Sequence, residues 1–250
     1  VSGLIVTERH TEADLAEWER LRRRDRVVAR STNWERLQYA AREELRRFRP
    51  DYIGCSWGKD SIVLAHLCWT LWADNGPPLV WVRNHPRDNP DCRLVRDAFL
   101  ADFPMPYEEV VTHCAPQPDG TWQAPAGRLS LSAGFSEAAT RFGARYASGV
   151  RAEESNARRK RVGKGLATRN TLAPLGRWST AQVFAYLLQF SLPVHPAYGY
   201  TQGGIWDRDR LRVAGLAGGR GTGHGRAEWE GLYYRDRLRE LDMMAREACS

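Results

Sequence analysis

The sequence predicts an α/β protein: a doubly wound, mostly parallel five-stranded sheet with helices on both faces, extended by N-terminal and C-terminal helices. Three observations predict it. A short β-prone stretch, Asp51-Tyr52-Ile53-Gly54-Cys55, leads through a polar turn into an apolar helix from Ser61 to Trp72. Strand-like and helix-like runs then alternate to about residue 172, the pattern of a parallel sheet with crossover helices. The chain has 250 residues, enough to bury roughly 75% of its extended surface in one core without staples.

The elements follow in order. Residues 8–49 read as helical: Thr11 and Asp14 form an N-cap box, and Leu15, Trp18, Leu21, Val27 and Val28 recur at helical spacing. A second helix runs from Trp34 to Phe48 after Ser31-Thr32-Asn33, with Trp34, Leu37, Tyr39, Ala40, Ala41, Leu45 and Phe48 on its apolar face. Pro50 ends this layer. Strands are expected at Leu79–Val82, Tyr107–Val111 and Arg145–Val150, with a weaker one near Thr168–Leu172. Helices fill Arg93–Phe99 and Phe135–Phe142. Ser179 and Gln182 form a capping box for a helix whose inward stripe is Val183, Tyr186, Leu187 and Phe190. A last helix is expected from Glu228 to about Ala245, with Leu232, Tyr233, Leu238, Leu241 and Met244 facing inward. The chain thus divides into a helical extension (1–49), an α/β domain (50–200), and a basic glycine-rich loop with a helix packed on that domain (201–250).

Composition narrows the class. The five cysteines are odd in number and none shows C-x-x-C spacing, which argues against a disulfide framework or zinc knuckle and fits a reducing cytoplasm. No signal-peptide pattern and no apolar run near 18 residues is present, so no membrane partner is expected. Net charge is +3 over residues 1–50, −3 over 51–150 and +7 over 151–250. A positive C-terminal lobe favours polyanions: a nucleotide, a nucleic acid or an acidic partner. The arginine-rich N-terminal helices read as solvated faces, with a homodimer contact or a nucleic-acid surface as the alternatives.

The segment Ser56-Trp57-Gly58-Lys59-Asp60-Ser61 carries the first chemistry. A polar, glycine-containing turn opening a helix is an anion site, because the first helical N–H groups lack partners and the macrodipole places about +0.5 charge there. Lys59 adds a full charge, and the Ser56 and Ser61 hydroxyls can donate to phosphate oxygens. This is not a Walker A loop: three residues, not four, separate Gly54 from Gly58, and Asp60 stands where a magnesium-binding hydroxyl is needed. The segment resembles instead the S-G-G-K-D-S pyrophosphate loop of the adenine-nucleotide α-hydrolase superfamily (PP-loop ATP pyrophosphatases). Within it the chain is most similar to the phosphoadenosine-phosphosulfate (PAPS) reductase, or CysH-like, family. Trp57 replaces that loop's first glycine, a position that strains a side chain if it requires positive φ.

Two later segments extend the resemblance over about residues 45–200. Gly149-Val150-Arg151-Ala152-Glu153-Glu154-Ser155 resembles the family's G-[IV]-R-A-[DE]-E-S motif. Arg151 offers a planar fork suited to phosphate or sulfate, Glu153 and Glu154 can orient arginines or bind Mg²⁺ through its waters, and Gly149 lets the backbone approach a nucleotide. The basic run Arg158-Arg159-Lys160-Arg161 follows, as a solvated loop or an anion contact. Leu172 to Leu187 and Leu192-Pro193-Val194-His195-Pro196-Ala197-Tyr198 match two further family patterns; His195 reads as structural. Departures are equally informative. Residues 199–226 contain no cysteine, so an iron–sulfur cluster of the kind some relatives carry lacks its ligands. Cys249 lacks the E-C-G-[LI]-H context of the reductase thiol, and Arg83-Asn84-His85 replaces the family's D-T-G.

The resemblance implies an adenine nucleotide, ATP with Mg²⁺, bound by Ser56, Trp57, Gly58, Lys59, Asp60, Ser61, Gly149, Arg151, Glu153 and Glu154. Lys59, Asp60 and Arg151 are its candidate catalytic residues and no side chain is assigned as a direct metal ligand. The expected chemistry is AMP-forming: ATP is cut between its α- and β-phosphates while an acceptor is adenylated. The alternative is an accessory protein of a mobile element or defence system, like the cysteine-poor CysH-like proteins of phages and type IV CRISPR systems. That protein would use Arg158, Arg159, Arg161, Arg220 and Arg226 on nucleic acid or a ribonucleoprotein. PAPS reduction through Cys249 comes third. The glycine-rich stretch Ala217–Arg226, with Arg220, His224 and Arg226, is either an arginine-bearing lid or a surface loop.

Overall fold

A computed structural model describes residues 3–117, 121–213, 215–217 and 225–247. The expected sheet is present: β1 (Tyr52–Gly54), β2 (Leu79–His85), β3 (Tyr107–His113), β6 (Tyr146–Ser148) and β7 (Thr171–Leu172), in spatial order β3-β2-β1-β6-β7 and parallel throughout. A small antiparallel pair, β4 (Ala115–Pro116) with β5 (Trp122–Gln123), projects beyond β3. The chain moves outward from β1 through β2 to β3 and then returns to the other side of β1 as β6. The topological switch point therefore lies between β1 and β6.

The two faces of the sheet are covered unequally. Alternation along β1 and β2 sends Ile53, Leu79 and Trp81 into the main core, packed by α3 (Lys59–Trp72), α4 (Asp91–Asp102) and α7 (Thr180–Gln189), with α2 (Trp34–Phe48) outside them. Tyr52, Val80 and Val110 point to the opposite face, where α5 (Leu131–Phe142) covers them through Ala138. That helix reaches β2 and β3, leaving the face of β1 and β6 open toward their carboxyl ends. Gly134 permits its approach, since a Cβ there would lie 2.3 Å from the Thr112 side chain.

The N-terminal helices form as the caps predict. Helix α1 (Glu12–Ser31) begins with the reciprocal Thr11–Asp14 box, and Asn33 caps α2. Val27 and Tyr39, placed on the apolar faces by spacing alone, are instead exposed. Each helix buries a narrow stripe (Trp18, Leu21 and Ala29; Ala41, Leu45 and Phe48) against α7 and α3, and those two residues fall outside it. Buried polar groups tie the ends of the chain to this layer. The Asp14 carboxylate accepts from Tyr233 Oη and from the Thr201 amide, both at 3.0 Å. Arg208 forms a two-armed pair with Asp25 at 2.8 and 2.9 Å, its guanidinium 3.7 Å from the Phe184 ring centre.

The single C-terminal helix of the sequence reading is corrected to two, α8 (Arg226–Tyr233) and α9 (Arg235–Glu247). The break has a physical reason: Tyr233 and Tyr234 are both buried, and a straight helix would place neighbours about 100° apart. Leaving the helix at Tyr234 lets its hydroxyl reach Asp91 at 2.8 Å while Tyr233 reaches Asp14. Leu232 and Met244, expected inside, are exposed. The basic run after residue 155, read as a loop, forms α6 (Asn156–Gly163) with Ser155 as its cap. Among the described residues no helix is long and apolar enough to cross a membrane.

Two interior histidines make the fold acid-sensitive. Burial lowers His195 to about 3 and His66 to about 4, so both fold neutral. Below about pH 6.5 the unfolded chain takes up protons that the folded chain refuses, and stability falls with pH, each histidine contributing up to about 1.4 kcal/mol per pH unit. His195 Nδ1 accepts from the Ala197 amide at 3.1 Å, a bond that an asparagine oxygen can replace. His195→Asn is expected to flatten the decline of unfolding free energy between pH 6.5 and 4.5; an unchanged slope would assign it to other groups.

Candidate functional site

A cavity of about 350 Å³ opens at the carboxyl ends of β1, β2 and β6, on the face that α5 leaves partly uncovered. It lies at the switch point, where open parallel sheets bind ligands. Its floor is Tyr52, Gly54, Val80 and Tyr146, and the exposed Phe135 of α5 forms one wall. Tyr52 and Tyr146 stack with ring centres 5.3 Å apart and planes 12° from parallel. The upper end is polar, lined by Ser56, Asp60, Ser61, Ser148, Glu154 and Arg158. One end therefore suits a flat apolar ring and the other an anion.

The polar end is built by the turn between β1 and α3. Gly58 caps α3 with extended backbone, and a Cβ on it would lie 2.9 Å from Val213 Cγ2 and 3.2 Å from the Tyr198 hydroxyl. That hydroxyl accepts from the Lys59 amide at 3.2 Å. Trp57 adopts φ +60°, the left-handed conformation that glycine favours, so the sequence departure at this position does carry strain. Its ring does not enter the crevice. It is fully buried on the other side of the loop, 5.4 Å from the Tyr107 ring and 6.2 Å from Phe99.

Charge at this end is arranged around Asp60. Its Oδ1 accepts from Arg151 Nε at 2.5 Å and its Oδ2 pairs with Lys59 Nζ at 3.0 Å. Burial works against the Lys59 charge, but Tyr198 and Asp60 more than offset it and hold the ammonium above its ordinary pKa. Arg151 is likewise desolvated and likewise held charged, chiefly by Asp60. Its remaining donors go to Glu153, the Trp178 carbonyl and the Thr180 hydroxyl at 3.0–3.2 Å. Arg151 is thus an internal brace, where the sequence suggested a fork aimed at phosphate. Glu153 accepts from the Thr180 amide and hydroxyl, and Glu154 accepts from the Arg151 amide and pairs with Arg158.

The remaining predicted residues divide in the same way. Gly149 lines the crevice and also serves a close approach within the protein: a Cβ there would lie 2.8 Å from the Asp60 carbonyl carbon, so this glycine brings β6 onto α3. Arg161 donates to Thr171 Oγ1, Arg159 and Lys160 are exposed on α6, and Arg226 pairs with Glu230 at 2.6 Å. Arg220, His224 and Cys249 lie outside the described residues. His195 is buried with Nε2 3.6 Å from Cys92 Sγ, a neutral structural contact beneath the loop. Among the described residues no three His, Cys, Asp or Glu side chains converge as a metal cage.

Sequence reasoning missed the apolar half of the site. Gly54 carried a signal, because a glycine inside a strand marks close approach of another group; with no side chain it keeps the floor open. Phe135, Tyr146 and Ser148 carried none, since only the placement of α5 and β6 brings them to the crevice. Compared with protein-family models and with curated proteins, the sequence matches none.

Proposed function

We propose that the crevice binds an adenine nucleotide, with the base on the Tyr52–Tyr146 floor beneath Phe135 and the phosphates at the N-terminus of α3. The observation that carries this reading is the polarity of one concave site at the switch point. Its apolar end has the shape for a stacked ring, and its other end sets Asp60 and two serines at a helix N-terminus, with the buried Lys59 paired to that Asp60. The order of the loop and of the Gly149–Ser155 segment supports a CysH-like member of the PP-loop superfamily, and hence ATP as the nucleotide.

The proposed reaction cleaves ATP between the α- and β-phosphates. A nucleophile (water or an acceptor hydroxyl or carboxylate) bonds to the α-phosphorus, the bridging P–O bond breaks, and pyrophosphate leaves with the electron pair. Lys59 stabilises the leaving group. Asp60 holds two cations, so Lys59 can transfer to a phosphate while Arg151 keeps the carboxylate paired. Mg²⁺ enters as part of the MgATP substrate and offsets phosphate charge. Ser56 presents its hydroxyl at the mouth, whereas Ser61 Oγ already donates to the Gly58 carbonyl at 2.9 Å.

Gly54→Val tests the reading directly. A Cβ at Gly54 meets only ordinary contacts, 3.6 Å to the Ala147 carbonyl, so the strand tolerates it while the added methyls fill the floor. ATP affinity is expected to fall at least about tenfold with little change in melting temperature. ATP binding at undiminished affinity in Gly54→Val would place the nucleotide elsewhere.

A further inference from the structure

We propose that Arg212 and Arg158 form a clamp at the mouth of the crevice that selects nucleotides carrying phosphate beyond the α position, an inference that rests on the crevice being a nucleotide site. Glu154 brings the two together. Its carboxylate pairs with Arg158, and its backbone carbonyl accepts from Arg212 Nη2 at 3.1 Å. Both Glu154 and Arg158 line the crevice beside Ser56 and Asp60. Arg212 arrives from a different part of the chain. Residues 211–213 cross the turn before α3, with Val213 against Gly58. Arg226 holds them there, donating to the Arg212 carbonyl at 2.9 Å while Glu230 and the Trp229 ring fix its guanidinium.

The partners these arginines now have are weak competitors for a polyphosphate. Arg212 is exposed and bonds a neutral carbonyl, and Arg158 shares one carboxylate that also serves the Arg151 amide. Guanidinium groups bind phosphate oxygens through paired donors, so a ligand with several charges displaces both contacts, whereas the single phosphate of AMP carries too little charge to draw both arginines from their partners. The consequence is discrimination by phosphate number at a site whose base end reads only a flat ring. Arg212 takes no part in building α3 or the sheet, and its removal should leave the fold intact.

The test measures binding of ATP, AMP and inorganic tripolyphosphate to the wild type, Arg212→Ala and Arg158→Ala, with hydrogen exchange of the peptide covering residues 211–213. Each substitution is expected to weaken ATP and tripolyphosphate about tenfold and AMP less than about twofold. Tripolyphosphate, but not AMP, should slow exchange over 211–213. Equal losses for AMP and ATP, or unchanged ATP affinity in Arg212→Ala, would overturn the clamp while leaving the nucleotide site standing. Tripolyphosphate binding that depends on Arg212, without binding of either nucleotide, would overturn the adenine reading and with it the selection among nucleotides. Binding of none of the three overturns both.

Discussion

Replacing Lys59 with alanine is expected to slow pyrophosphate release from ATP by about two to three orders of magnitude, the usual effect of removing one preorganised charge from a leaving-group site. The side chain is 6% exposed, so its charge acts where little water screens it and each contact is worth more than at the surface. Its ammonium lies 5.2 Å from the Tyr198 ring centre and 3.0 Å from Asp60, which itself lines the crevice. Asp60 keeps Arg151 when Lys59 is lost, so the substitution strands no carboxylate and the fold should survive. Steady-state pyrophosphate release and thermal melting, measured on the same preparations, separate the two effects. A melting temperature near wild type with an unchanged rate would remove Lys59 from the reaction.

Trp57→Gly is the second large effect, and its sign has to be decided by magnitude. Glycine removes the strain of φ +60°, a gain of about 1–3 kcal/mol. It also empties a fully buried indole site between Phe99 and Tyr107, for which large-to-small changes cost about 3–5 kcal/mol, and frees the unfolded backbone by about 1 kcal/mol more. The net expectation is a loss of about 1–5 kcal/mol in urea unfolding. The residue that breaks the glycine pattern of the loop is thus tolerated because it anchors the loop to the core. A glycine variant as stable as wild type would show that the indole contributes no net packing there.

Much of the sheet was legible because strand and helix periods alternate strongly between residues 51 and 172, and the Thr11–Asp14 and Ser179–Gln182 caps mark helix starts with local hydrogen bonds. The C-terminal region was not. Its apolar residues fit a single helical stripe, and only the distant carboxylates Asp14 and Asp91 draw two adjacent tyrosines inward and break the helix. The loop residues could be named in advance, but not their division of labour. Whether a guanidinium in such a motif faces solvent or a buried carboxylate depends on which strand lies beside which helix, and here Gly149 presses β6 against α3 so that Arg151 meets Asp60.

The sequence by itself determined the α/β class, the strand that leads into a phosphate-loop-like turn, and the absence of cysteine between residues 199 and 226. These follow from local spacing and residue identity, which neighbours in sequence can encode. Only the tertiary structure decided that Trp57 turns into the core, that Arg151 braces Asp60, and that Phe135 and Tyr146 complete the crevice. It also placed Arg212 beside Arg158 across more than fifty intervening residues. The reason is that side-chain direction at a parallel sheet's carboxyl end is set by strand order and helix packing, and both are long-range.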